Sequence, residues 1–372
     1  MKIIFFVLDI FDVLIIYLCG LYVQEMSNKN IVYGVRVPVG EEKSEAIQRF
    51  KKKYKKNFSF TLLAALIIHE LIFVFTNKLL AFQMTSFLFL CVALMFFNYY
   101  AINKEIRSYK KTAGWKFESN KVIVVDTNYR KTNAKEGKTV LSDWWYLIPL
   151  AMVAINIIAL AVNYNSIPER IAAHMDFSGN VDRWETKSFL NVYMLPIISL
   201  IMTLMMLVSN RFIRNAKQNL NSGVIFQIKF NSRRERYYQS LILWITNIFV
   251  EAVFFFISLQ TVNILKLSSG AFIGIMVIAF LPVVISIVLS FIARKEKTIE
   301  VKEDKPIIVD RDDDANYIWG MIYYNPDDPS TFIEKRAGFG ITFNYAKTGP
   351  IIFTVIMGII VFGTLILLLF AN

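Results

Sequence analysis

The stretch IIFFVLDIFDVLIIYLCGLYV, residues 3–23, decides how this chain is read. About 20 consecutive, mostly apolar residues cross a bilayer as a helix, and this run is long enough. Asp9 and Asp12 interrupt it. An ionised carboxylate in hydrocarbon costs about 2.5 kcal/mol or more, so both side chains should face a protein interior, a partner or a water path. Lys2 gives the run the positive flank of a signal peptide. Two carboxylates in its core and the lack of an A-x-A-like cleavage site argue instead for a retained helix.

Seven more apolar runs follow, at 58–76, 79–101, 145–164, 189–208, 240–262, 271–292 and 349–370. The sequence therefore predicts an all-α integral membrane protein, a bundle of about eight transmembrane helices with short β-like segments in its cytoplasmic loops. Only Asn77 and Lys78 separate the second and third runs, which predicts a tight helical hairpin. Charged residues are 19% of the 372, against about a quarter in soluble domains, so the composition fits lipid rather than water. Loops 24–57, 102–144, 209–239 and 293–348 hold 35 of the 41 Lys and Arg residues. The positive-inside rule puts these loops in the cytoplasm and both termini outside the cytoplasmic membrane. The net charge of +12 then collects on one face, where anionic lipid head groups are the expected partner and no nucleic acid is needed. Cys19 and Cys91 fall inside spans and suggest neither a disulfide nor a metal pair.

The linear order divides into an N-terminal three-helix unit with basic loops (1–144), a helix pair carrying an outward loop at 165–188 (145–208), and a second helix pair with its preceding loop (209–292). A cytoplasmic segment (293–348) and a last helix (349–372) complete it. In the first cytoplasmic loop, Tyr33-Gly34-Val35-Arg36-Val37-Pro38 reads as extended, and a helix follows from about Glu42 into the basic run at 51–56. Val- and Ile-rich stretches at 121–127, 224–230, 298–301 and 307–309 either assemble a small sheet or lie as amphipathic segments against lipid.

In the outward loop, Ser166 and Glu169 have the spacing of a capping box, and Pro168 fits a first helical turn. Ile167, Ile171 and Met175 recur every four residues, which predicts a short amphipathic helix with His174 beside its apolar face. Gly179-Asn180 supplies a turn, and Trp184 suits the membrane interface. Asp176, Ser178, Asn180 and Asp182 alternate oxygen ligands, but an EF-hand needs Gly at its sixth position and Glu at its twelfth. Here Gly179 is fourth and Lys187 twelfth. A zinc site from His174, Asp176 and Asp182 is short of nitrogen and sulfur ligands. A hydrogen-bonded histidine holding the loop, or recognition of an extracellular ligand, remain as its roles.

Pro168, Ile171, His174, Gly179, Asp182 and Trp184 stand at the spacing of a short outward-facing motif. In this the chain resembles multi-pass membrane proteins of Gram-positive bacteria, the sporulation-delaying-toxin immunity family among them. The stretch Tyr323-Tyr324-Asn325-Pro326-Asp327-Asp328-Pro329, with Glu334-Lys335-Arg336, Gly338, Gly340 and Asn344, resembles a second, cytoplasmic signature. Proteins carrying both tend to show something like Gly34-Val35-Arg36-Val37-Pro38. The resemblance implies a multi-pass bacterial membrane protein, with Pro168, His174, Asp176, Gly179, Asp182 and Trp184 as its recognition residues and immunity to an extracellular peptide as one expected role.

Asp9 and Asp12 share one helical face. Asp12, His69, Glu70 and Glu251 lie near the middle of their spans, and with Asp9 they would form one intramembrane polar cluster. Such a cluster serves as a proton or cation path, or as packing glue hydrogen-bonded to Asn156, Asn163 or Asn247. Enzyme motifs are missing: Phe73 stands where H-E-x-x-H needs its second histidine, and there is no G-x-S-x-G and no P-loop. A non-enzymatic protein is expected, with no cofactor and no metal site. Asp312-Asp313-Asp314 and Asp327-Asp328 face basic loops, so they either pair within the chain or dock a cytoplasmic regulatory protein. The leading expectation is a membrane protein that senses, or gives immunity to, an extracellular peptide or envelope stress. The alternative is a proton-coupled or small-solute transporter using the intramembrane carboxylates.

Overall fold

The computed structural model describes residues 2–370 apart from 29, 39, 76–79, 116, 118–138, 176–180, 220–224 and 296–311. In chain order its elements are α1 (Lys2–Tyr22), β1 (Ile31–Val32), β2 (Val35–Arg36), α2 (Glu45–Phe75), α3 (Leu80–Thr112) and α4 (Leu147–Val162). Next come β3 (Arg170–Met175), β4 (Val181–Thr186), α5 (Phe189–Asn215), α6 (Ile225–Thr261), α7 (Ser269–Ala279) and α8 (Leu281–Arg294). β5 (Tyr317–Ile318), β6 (Ile322–Tyr323), β7 (Phe332–Glu334), β8 (Ile341–Phe343) and α9 (Thr348–Phe370) close the list. Unit 1 is built from Met1–Lys131, Ala216–Phe230 and Lys297–Asn372, and unit 2 from Thr132–Asn215 and Asn231–Glu296.

Over the described residues, each of the eight apolar runs is mainly helical. The seventh is split into α7 and α8 at Phe280, where Pro282 sits in the first turn of α8. Among the described residues, six helical stretches are long and apolar enough to cross a membrane. The protein is therefore a polytopic membrane protein. Helices α2, α3 and α6 have 31, 33 and 37 residues. At 1.5 Å per residue they reach about 46–56 Å, well beyond a hydrocarbon core of about 30 Å. The surplus turns carry the charges, such as the lysines of 51–56. Leu63, Ile67, Leu71 and Phe75 are exposed along one side of α2. That band is an aggregation liability in water and an ordinary surface in lipid.

The core of unit 1 forms where the β1–β2 hairpin meets the helices. The Tyr33 ring lies tilted 4.5 Å from Tyr54 and edge-on 5.8 Å from Tyr99, and Tyr54 stacks on Phe58 at 5.8 Å. Tyr54 Oη donates to Gly20 O at 3.1 Å. A side chain at Gly20 would strike the Phe58 ring, so this glycine sets how closely α1 approaches α2.

Two expectations fail. No helix follows Ser166: β3 and β4 pair as an antiparallel hairpin with an irregular register between Ala172 and Met175. Ser166 Oγ donates to Asn163 O instead of capping a helix. The four-residue spacing of Ile167, Ile171 and Met175 is also even, so it marks one face of a strand as well as one face of a helix. The stretch at 224–230, read as β-like, is helical from Ile225 onward. Once α6 is nucleated, each added residue costs little, and the alternation of Ile225, Gln227 and Lys229 is overruled. The stretches at 121–127, 298–301 and 307–309 lie outside the described residues. Among the described residues the strands form four separate two-stranded sheets rather than one shared sheet.

Candidate functional site

The β3–β4 hairpin is anchored at its base and open along its length. Ile167 and Ile171 are buried with Leu160 of α4, Val192 of α5, and Leu259 and Val262 at the end of α6. Lys187 Nζ donates to Ile167 O at 3.1 Å and lies 4.6 Å from the Tyr164 ring centre. Asn191 Nδ2 donates to Thr186 O at 2.9 Å. Above this base Asp182, Arg183, Trp184, Glu185 and Thr186 are all exposed, Trp184 by half its surface. His174 Nδ1 and Asp182 Oδ1 approach to 2.6 Å with both side chains more than half exposed. Pairs this exposed contribute about 0–1 kcal/mol, so this one does little for stability. Pro168, before the start of β3, is exposed, while Asp176 and Gly179 lie outside the described residues.

The intramembrane carboxylates fall into two settings. In unit 1, His69 Nε2 of α2 is 3.3 Å from Asp9 Oδ2 of α1, and Glu70 stands beside them. The imidazole lies flat on Phe87 of α3, with ring centres 3.9 Å apart and planes within 5°. Asp12 is half-buried one turn along α1. In unit 2, Glu251 is almost fully buried and accepts a hydrogen bond from Thr203 Oγ1 at 2.8 Å. The same hydroxyl is 3.0 Å from Asn247 Oδ1. Of the expected five-residue cluster, the structure brings together Asp9, His69 and Glu70, and gives Glu251 its own partners. Asn156 accepts from Ser258 Oγ at 2.6 Å, and Asn163 Nδ2 donates back to Ala159 O of its own helix at 2.8 Å. Hydrogen bonds of this kind between membrane helices are worth about 0.6 kcal/mol on average.

A third site joins sequence segments that look unrelated. Arg36 of β2 donates from Nε to Asp313 Oδ1 at 2.7 Å. Arg336 reaches the same oxygen from Nη1 at 2.8 Å and Asp314 Oδ1 from Nη2 at 2.9 Å, and also donates to Gly34 O. Both arginines are about 1% exposed. The Arg336 guanidinium lies 3.9 Å from the Tyr317 ring centre. Lys110 of α3 pairs with Asp312 at 2.9 Å and Asp314 at 2.7 Å, and Arg107 donates to Tyr317 O at 2.8 Å. Gly34, at φ 75, meets Gly320, at φ 76: a Cβ on Gly34 would lie 2.5 Å from Gly320 O.

The rest of the second signature is spent on its own turn. Asn344 is fully buried. Its Nδ2 donates to Asn325 O at 2.8 Å, and its Oδ1 accepts from Asn325 N–H at 3.0 Å. Asp328 accepts from Lys217 Nζ at 2.7 Å, Tyr323 Oη at 2.8 Å and Ser330 N–H at 3.0 Å. Burial pushes the Asp328 carboxyl up, but these donors outweigh it and hold it below its ordinary 3.8. Pro326 O accepts from Lys347, and Pro329 closes the turn. Lys335 N–H donates to Gly340 O at 2.9 Å across the β7–β8 hairpin, and Gly338 N–H donates to Ser27 Oγ at 3.1 Å. Tyr324 is nearly half exposed. Sequence reasoning missed Arg107, Lys110 and Lys217. Their only signal was charge in basic loops, and charge there is equally read as a collar for lipid. Arg107 also lines a cleft of about 390 Å³ with Tyr100, Asn103, Lys104, Ser108, Lys111 and Trp319.

Two family profiles match the chain. A domain of unknown function, DUF1648, covers residues 151–200, which hold the β3–β4 hairpin between most of α4 and the start of α5. A family of unknown function, DUF5808, covers residues 326–349. No curated protein and no solved structure matches.

Proposed function

We propose that this membrane protein recognises an extended extracellular peptide at the β3–β4 hairpin, with the hairpin outside the cytoplasmic membrane and the basic loops inside. The observation that carries the reading is the hairpin itself, a two-stranded sheet whose β4 strand exposes Asp182 to Thr186 in a row. An isolated two-stranded hairpin is marginal in water, and this one is held by Ile167 and Ile171 at its base. A strand with one neighbour offers free backbone groups to an added peptide, while Trp184 and Arg183 supply contacts favoured at binding hot spots. On this reading the 323–345 region is a scaffold, because Arg336, Asp328 and Asn344 turn inward. A regulatory partner inside the cell would have exposed Tyr324 and Trp319 to grip. The surplus lysines of the long helices face anionic head groups.

The test is selection of random displayed peptides on the purified protein in nanodiscs. Wild type should enrich a sequence family that Trp184→Ala with His174→Ala no longer retains. Equal enrichment by both proteins would overturn the reading. A second reading, proton-coupled or small-solute transport, is favoured by the contact of His69 with Asp9. It requires uptake into vesicles that is lost in Asp9→Asn and Glu70→Gln but kept in the hairpin variant.

A further inference from the structure

Glu70 and Glu251 are both carboxylates inside membrane helices, but only Glu251 is satisfied. Both Glu70 carboxylate oxygens are shielded from solvent and have no hydrogen-bond partner. They point into a group in which one ligand atom each from Asp9, His69 and Glu70 lies within 4.8 Å of the other two. Asp9 is 2% exposed, and the His69 ring is fixed by its stack on Phe87. Two ionised carboxylates here would bring two negative charges into hydrocarbon, at a cost of several kcal/mol. One divalent cation would cancel both charges and fill the coordination of the orphaned oxygens.

We propose that Asp9, His69 and Glu70 bind a first-row divalent metal ion of the zinc or manganese class. Imidazole suits zinc and carboxylates suit manganese, and a set of one nitrogen and two oxygens is open to either. Zinc takes His nitrogen and carboxylate oxygen at about 2.0–2.2 Å, which puts tetrahedral ligands about 3.4 Å apart. The His69 Nε2 to Asp9 Oδ2 separation is 3.3 Å, close to that spacing. Three protein ligands leave a fourth position open for water or a further ligand. The site concerns the same residues as the transport reading and rests on their geometry alone. Binding is read in detergent and transport in vesicles, so the two can fail separately.

The experiment is metal analysis and calorimetric titration of the purified chain with Zn²⁺ and with Mn²⁺. Wild type should take up one ion per chain. Asp9→Asn and Glu70→Gln should each weaken binding at least about tenfold, since even outer-sphere losses cost that much. Glu251→Gln and His174→Ala should bind as wild type does, which separates this site from the exposed His174–Asp182 pair. Should the ligand variants misfold, the visible spectrum of Co²⁺-loaded wild type reports tetrahedral nitrogen and oxygen ligation directly. Failure of wild type to bind either ion at tens of micromolar, unchanged affinity in Glu70→Gln, or a cobalt spectrum identical to that of the free aquo ion would overturn the proposal and leave the carboxylates to hold protons.

Discussion

The β1–β2 hairpin and the β3–β4 hairpin are both short antiparallel turns flanked by charge, and they use that charge in opposite ways. Around β1–β2 the central ionic groups are turned inward: Arg36, Arg336, Asp313 and Asp314 are each less than a tenth exposed and paired with one another. Around β3–β4 the charges and the tryptophan are left on the surface, and among the described residues Ile167, Ile171 and Ala172 are the buried ones. Truncating one partner of a buried pair strands the other, at a cost of about 3–5 kcal/mol. Truncating an exposed group costs under about 0.5 kcal/mol. The first hairpin therefore holds unit 1 together through buried charge, and the second leaves its charged side chains exposed.

The comparison can be broken at four points. Arg336→Met leaves Asp313 and Asp314 short of a cation and should remove about 3–5 kcal/mol, read as loss of membrane-inserted protein or a large fall in Tm in detergent. Gly34→Ala forces a side chain into a left-handed turn and against Gly320. It should cost about 1–3 kcal/mol by the same assay. Asp328→Asn removes the charge facing Lys217 and should cost about 1–2 kcal/mol. The folded-state pKa of Asp328 is depressed, so its contribution is fully present above the ordinary value of 3.8 and is lost as pH falls through the lower folded value. Thermal melts of wild type should therefore lose this increment only in strong acid, and those of Asp328→Asn should lack it throughout. Trp184→Ala with His174→Ala should shift stability by under about 0.5 kcal/mol. A large shift there would erase the distinction between the hairpins.

The helices were legible because lipid imposes one rule on every span: apolar length with internally satisfied backbone. Tyr33-Gly34-Val35-Arg36-Val37-Pro38 read as extended throughout, but Tyr33 and Gly34, at φ 43 and 75, form the two-residue turn of the β1–β2 hairpin. The β3–β4 hairpin was misread because a spacing of four fits a helix and a strand alike, and the irregular register at Ala172 blurred the alternation. The buried ionic knot could be suspected from charge but not assembled, since Arg36 and Asp313 are 277 residues apart. Asp9 and His69 are 60 residues apart, so spacing gave no sign of a shared ligand set, and the sequence reading assigned no metal site at all. Such convergences depend on which helix faces turn toward each other, and local periodicity does not encode that.

The central claim is that the β3–β4 hairpin is the recognition element. Its most direct test is survival of a deletion strain expressing wild type, Trp184→Ala with His174→Ala, or Glu70→Gln, at matched membrane levels, across a panel of membrane-active peptides. The account predicts at least one peptide against which wild type and Glu70→Gln protect and the hairpin variant does not. Equal protection by the hairpin variant against every peptide, or no protection by wild type against any, would contradict it.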